Sequence, residues 1–236
     1  VPPQQRLTPD LLPYTLGMVA LDIAAPILLM LGLARTAAAH VSLLNNFEIV
    51  ATSVIALLLF HEKISRRVWA AIALITLASG LLSFEGSESL RFSSGSLLVL
   101  GACLCWGLEN NCTRALSPKN AMQIVTVKGI FSGLGSLLVA FLSGEHFPEA
   151  GYVLLAMLLG FLSYGLSIFL YVRAQSTLGA ARTSAFYSVN PFLAAALCLL
   201  LLRQPLSPLY PFALALMLLG LALTVQETLV EAPVSR

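Results

Sequence analysis

Residues Ala180 to Ser207 read AARTSAFYSVNPFLAAALCLLLLRQPLS, and residues Ala38 to Ser65 read AAHVSLLNNFEIVATSVIALLLFHEKIS. Both open on small residues, carry a polar position in mid-run, continue as a Leu- and Ala-rich stretch and close at a polar break ending in serine. Laid together without a gap, Glu48 falls on Asn190, an offset of 142 residues. Phe60-His61-Glu62-Lys63-Ile64-Ser65 then falls on Leu202-Arg203-Gln204-Pro205-Leu206-Ser207. Whether this pairing is a duplication or two unrelated leucine-rich helices decides the fold.

The surrounding chain has 236 residues, of which 58% are hydrophobic and 10% charged. Soluble domains carry roughly 25% charged residues, so most of this chain faces something other than water. The formal net charge of +2 is small, and no basic cluster is interleaved with aromatics, which argues against a nucleic-acid partner. Cys103, Cys105, Cys112 and Cys198 all lie in apolar runs. Cys103 and Cys105 point in different directions on a helix and cannot share a metal, so they read as small packing residues. No metal or other cofactor is called for. The first residues are polar and Pro- and Gln-rich, without the pattern of a cleavable signal sequence.

A membrane helix needs ~20 mostly apolar residues. Eight stretches meet that pattern, near 12–33, 38–60, 68–84, 95–115, 121–143, 151–172, 180–202 and 209–227. Turn or charge signals separate them, among them His61 to Arg67, Glu85 to Arg91, Ser117-Pro118-Lys119, Gly144 to Glu149 and Arg173 to Gly179. The short segments between leave no room for a soluble domain. Lys and Arg are retained on the cytoplasmic side of a membrane. One set of alternate segments holds nine of them (Arg6, Lys63, Arg66, Arg67, Arg114, Lys119, Arg173, Arg182 and Arg236), and the opposite set holds Arg35, Arg91 and Arg203. This asymmetry predicts a multi-pass membrane protein with both ends of the chain cytoplasmic.

Topology tests the duplication. The offset aligns the first three apolar stretches with the last three, leaving the fourth and fifth without counterparts. The expectation is an all-α polytopic membrane protein built as an inverted five-plus-five helix repeat, with the first two helices missing and eight transmembrane helices in this chain. Residues 1–92 form the incomplete first repeat and 93–232 the second. Five is odd, so the repeats enter the membrane in opposite senses, an architecture that places a site near the midplane between them.

The small residues opening a helix, the mid-helix Glu48 or Asn190-Pro191, the Leu-rich run and the polar break resemble the EamA-type repeat of the drug/metabolite transporter superfamily. Ala38 to Gly80 resembles the end of the first repeat and Ala180 to Ala222 the end of the second; Cys105-Trp106-Gly107-Leu108 resembles the Trp-containing helix that opens the second. Glu48-Ile49 stands where many relatives have Glu-Pro, and Gln204-Pro205 where a helix-ending Glu is common. The resemblance implies secondary transport, often export, of amino acids and other small metabolites across the bacterial inner membrane.

Ionisable groups at membrane depth are read by default as functional or paired. Glu109 and Lys128 lie at matching depth on consecutive antiparallel helices, which predicts a buried ion pair, either a tether or a pair that opens for a substrate carboxylate or a proton. Asn45, Glu48 and Thr52 form one stripe at i, i+3 and i+7, answered by Thr183, Tyr187 and Asn190. Trp106, Asn110 and Thr113 share a face of the fourth helix. Asp22, one turn before Pro26, is either a proton carrier or bonded to backbone that the proline disturbs. Substrate-cavity candidates are therefore Asp22, Asn45, Glu48, Trp106, Asn110, Tyr187 and Asn190, with Pro26 and Pro191 as hinge candidates. Gly129 and Gly133, and Gly160 with Gly165, read as points of close helix approach.

No HExxH, GxSxG or P-loop lysine occurs, which disfavours a membrane-embedded enzyme. The reading is an alternating-access transporter with a small-molecule substrate, the lipid bilayer as its surroundings and a homodimer as an option. A structural or regulatory membrane protein is the alternative.

Overall fold

A computed structural model of the chain describes residues 6–36, 41, 44–82, 93–145, 148–187, 189–190, 192–193, 196–197, 200 and 208–231. Among them the regular structure is helical, with no strand. Helix α1 spans Leu12–Leu33 after a 3-10 turn, α2 Phe47–Leu58, α3 Arg66–Leu82, α4 Ser94–Leu116 and α5 Ala121–Leu142. A continuous helix α6 runs Ala150–Leu178, followed by α7 at Ala180–Tyr187 and α8 at Tyr210–Glu231.

The helix ends follow local chemistry. Ser93 and Ser96 form a reciprocal capping box at the start of α4, and the Asn120 side chain accepts from the Met122 and Gln123 amides at the start of α5. The Glu62 amide reaches back to the Ala56 carbonyl at 2.8 Å while His61 takes a positive φ of 52°, closing α2. The stretch Arg173 to Leu178 reads in the sequence as a break, yet α6 continues through it and stops only where Gly179 adopts φ 83°. Polar residues there mark where the helix leaves apolar surroundings, not where it ends. Ser176 and Thr177 turn their hydroxyls back onto the carbonyls of Arg173 and Ala174.

Four helical segments, Pro9–Leu33, Ala121–Leu142, Ala150–Leu178 and Tyr210–Glu227, are long and apolar enough to cross a membrane. Helix α4 is as long, but its second half carries Glu109, Asn110, Asn111 and Arg114. Large apolar side chains of α5 and α6, such as Phe131, Leu138, Leu154 and Phe161, face outward. Exposed apolar area on that scale suits a hydrocarbon surrounding better than water.

Helix α1 lies along α4, α3 along α8, α2 packs on α4 and α7, and α1 also meets α5. Gly107 marks where α2 and α4 touch: a Cβ there would stand 2.9 Å from the Thr52 amide nitrogen. The glycines singled out from spacing behave differently. A Cβ at Gly129, Gly133 or Gly160 would meet nothing within 4 Å, and one at Gly165 only the Gly160 carbonyl of its own helix. They are not contact points within the described chain. Gly160 instead opens a π-helical segment, Gly160–Leu166, inside α6.

At one end of the bundle Met18, Leu116, Ala121, Ile124 and Val172 form a core against which Leu7, Leu11 and Phe60 pack. The Leu7 amide donates to Gln123 Oε1 at 2.9 Å. This end therefore gathers the segments that hold Arg6, Lys63, Arg66, Arg114, Lys119 and Arg173.

Candidate functional site

Three carboxylates and one ammonium sit at the centre of the bundle. Lys128 on α5 places its Nζ 3.2 Å from Asp22 Oδ1 on α1 and 3.1 Å from Glu109 Oε1 on α4, with all three side chains under a tenth exposed. Thr113 Oγ1 donates to Glu109 Oε1 at 2.5 Å, one turn along the same helix. From the π-helical segment of α6, Tyr164 donates to Asp22 Oδ1 at 3.3 Å. A π-segment adds a residue to a turn and re-aims the side chains on it, which is why such segments recur at functional sites. Burying charges is costly unless they are paired and their remaining valences are filled. Here the pairing predicted for Glu109 and Lys128 is wider: Asp22 joins it. Its side chain meets Lys128 and Tyr164. Pro26 lies inside α1 and borders neither cavity described below.

Glu48 is built differently. Asn110 Nδ2 reaches Glu48 Oε1 and Thr52 Oγ1, each at 3.2 Å, so a neutral amide from α4 ties two positions of the α2 stripe. The Asn110 carbonyl accepts from Gln175 Nε2 on α6 at 3.0 Å, which fixes α4 from the other side. Asn111, fully buried, donates to the Thr52 and Gly107 carbonyls at 2.9 and 2.8 Å. The α2–α4 crossing at Gly107 is thus fastened by two consecutive asparagines.

These groups border two polar cavities. The first, about 230 Å³, is lined by Asp22, Glu48, Trp106, Glu109, Asn110, Thr113, Lys128, Tyr164, Ser167, Ile168, Tyr171 and Tyr187. The second, about 220 Å³, is lined by Asn45, Asn46, Glu48, Ile49, Ser79, Tyr171, Ser184, Tyr187 and Asn190. Glu48, Tyr171 and Tyr187 belong to both and form the wall between them. Tyr171 and Tyr187 meet edge to face at 5.2 Å, and the Tyr171 hydroxyl lies 3.0 Å from Ser184 Oγ.

All seven cavity candidates border one cavity or the other, and Glu48 and Tyr187 border both. Thr183, the remaining member of the α7 stripe, turns its hydroxyl back to the Gly179 carbonyl at 2.7 Å. Pro191 lies outside the described residues. Tyr164, Tyr171, Ser184 and Ser79 are cavity residues that the reading of spacing passes over. A signal for Tyr164 does exist: it stands 142 residues after Asp22, the offset that relates Glu48 to Asn190.

Glu62 is a further overlooked carboxylate. Its Oε2 and Oε1 accept from the amides of Ala180 and Ala181 at 3.0 and 3.4 Å, capping the N-terminus of α7 from the segment after α2. A Cβ on Gly179 would collide with this carboxylate.

Comparison with known proteins adds to this geometry. A model of the EamA-like transporter family matches residues 2–84 and 93–226. An uncharacterized transporter from Methanothermobacter thermautotrophicus is 27% identical over 220 residues, covering 89% of this chain and 63% of that protein. The chain thus spans less than two thirds of that relative's length. A solved crystal structure, 15% identical in sequence, superposes with a TM-score of 0.77 over 94% of this chain and 79% of its own. At that identity the match speaks for the fold.

Proposed function

This chain belongs to the EamA-like transporter family, and we propose that it is a secondary transporter of small polar metabolites of amino-acid size, exporting them by alternating access between two inverted repeats. The observation that carries the proposal is the pair of polar cavities at the bundle centre, separated by a wall of three side chains. Such a partition, opened on one side and then the other, is what alternating access needs. Each cavity is smaller than the ~300 Å³ at which ligand pockets usually begin, so movement of the Glu48–Tyr171–Tyr187 wall accompanies binding.

Two contacts support the inverted repeat. Asp22 and Tyr164 occupy corresponding positions of the two copies and hydrogen-bond to each other. Symmetry-related groups touch only near the axis that relates them. Helices α3 and α8, also counterparts, pack side by side. Two inverted repeats place the substrate site at this interface. The gathering of basic segments at one end of the bundle supports a cytoplasmic location for that end in an inner membrane.

The test is flux. Protein reconstituted into proteoliposomes is expected to move at least one member of a broad panel of labelled amino acids and small polar metabolites. Glu48→Gln is expected to slow that flux at least tenfold while the protein still folds. Folded protein that moves nothing on the panel would sink the transporter reading. Unchanged flux in Glu48→Gln would remove that residue from the mechanism.

A further inference from the structure

The two carboxylate environments differ in what balances them. Asp22 and Glu109 share an ammonium, that of Lys128, held at 3.2 and 3.1 Å. Among the described residues no basic group lies within ion-pair distance of Glu48, whose side-chain partner is the neutral Asn110 amide. Lys128 is also the single basic side chain bordering either cavity among the described residues. With all four groups ionised, the pair of cavities holds three negative charges against one positive. A charge imbalance at this depth interacts far more strongly than it would in water.

The surroundings of Glu48 match that imbalance. Trp106, Tyr171 and Tyr187 line the same space, and aromatic side chains attract cations, more strongly once water is excluded. A ligand carboxylate would find the reverse. The ammonium it needs is already bridged to two carboxylates, and it would enter beside both of them and Glu48. Lys128 meanwhile shows that this pocket accepts an alkylammonium: a primary amine on a four-carbon stem already fills its other half.

We propose that the site takes a small organic cation carrying an ammonium and no carboxylate, its charged nitrogen seated at Glu48 against the Tyr171 and Tyr187 rings, in preference to the zwitterionic amino acid of the same skeleton. This rests on the transporter reading of the cavity and narrows its substrate class. Asn110 holds the Glu48 carboxylate toward the ligand, and Lys128 keeps the ligand away from Asp22 and Glu109.

Three probes sharing one skeleton separate the outcomes: 2-phenylethylamine as cation, phenylalanine as zwitterion and 3-phenylpropanoate as anion. Each is titrated into the purified full chain in lipid nanodiscs, with Trp106 fluorescence read in a Trp69→Phe background. The amine is expected to bind at least tenfold more tightly than phenylalanine, and the propanoate to give no saturable change. Glu48→Gln is expected to weaken the amine at least tenfold and to erase its advantage. The probe comparison stands even if that variant does not fold. Phenylalanine binding as tightly as the amine overturns the proposal while leaving transport intact. Absence of saturable amine binding overturns it too, and so does unchanged amine binding in folded Glu48→Gln. The transport reading itself stands or falls on the flux measurement.

Discussion

The two ends of the central cavity solve the same problem in opposite ways. At one end a single lysine is shared by two carboxylates, with Thr113 and Tyr164 donating to them as well. At the other, Glu48 is met by an amide and by space. The first arrangement joins α1, α4, α5 and α6 and is complete without a ligand. The second spans α2 and α4 and borders both cavities. A closed network serves the fold, whereas the Glu48 carboxylate keeps open space beside it.

Breaking each end should therefore register in a different measurement. The largest effect on stability is expected from Lys128→Met, which leaves Asp22 and Glu109 buried together without a cation. Loss of one member of a buried pair costs about 3–5 kcal/mol, and thermal unfolding in detergent measures it. Adding Asp22→Asn and Glu109→Gln to that variant is expected to restore much of the loss, since the uncompensated charges are then gone. Next comes Glu62→Ala, away from the cavity, which removes the cap on α7. Caps are worth roughly 1 kcal/mol, so its melting temperature should fall less. Tyr164→Phe removes one hydrogen bond at the closed end, and contacts of that kind average about 0.6 kcal/mol inside membranes. The smallest stability change, within about 0.5 kcal/mol, is expected for Glu48→Gln, because an amide can replace the carboxylate toward Asn110. A loss of several kcal/mol in Glu48→Gln would mean that both ends are structural, and the contrast between them would collapse.

Much of this was legible in the chain because the bilayer sets helix length. The apolar runs near 12–33 and 121–143 correspond to α1 at Leu12–Leu33 and α5 at Ala121–Leu142, since an apolar run can stop only where polar groups find water. Run ends marked by polarity alone misled at Arg173, where the helix outlasts the apolar run until Gly179 breaks its backbone. The four charges singled out inside the apolar runs, Asp22, Glu48, Glu109 and Lys128, border one cavity, as groups that cannot face lipid would. Partnership was harder to read. Periodicity along one helix says nothing of which neighbour it faces, and Asp22 on α1 found Lys128 on α5, four helices further along the chain. Tyr164 and Tyr171 were missed for a related reason. Tyr171 looks apolar in a hydrophobic run, and its hydroxyl acquires meaning only once Ser184 stands beside it. Small residues were the weakest guide: glycine spacing cannot say whether another backbone passes, and it passes at Gly107 rather than at Gly129 or Gly133.

The Glu62 cap has a mechanical consequence. A carboxylate on the segment after α2 holds the first two amides of α7, so the segment that closes α2 is pinned to the beginning of α7. Negative charge at a helix N-terminus is favourable in itself, and bare Gly179 leaves room for the Glu62 carboxylate to come this close. At that end of the bundle α2 and α7 behave as one lever. Any swing that parts Glu48 from Tyr187 must pivot about this pin, and the farther end of both helices moves most.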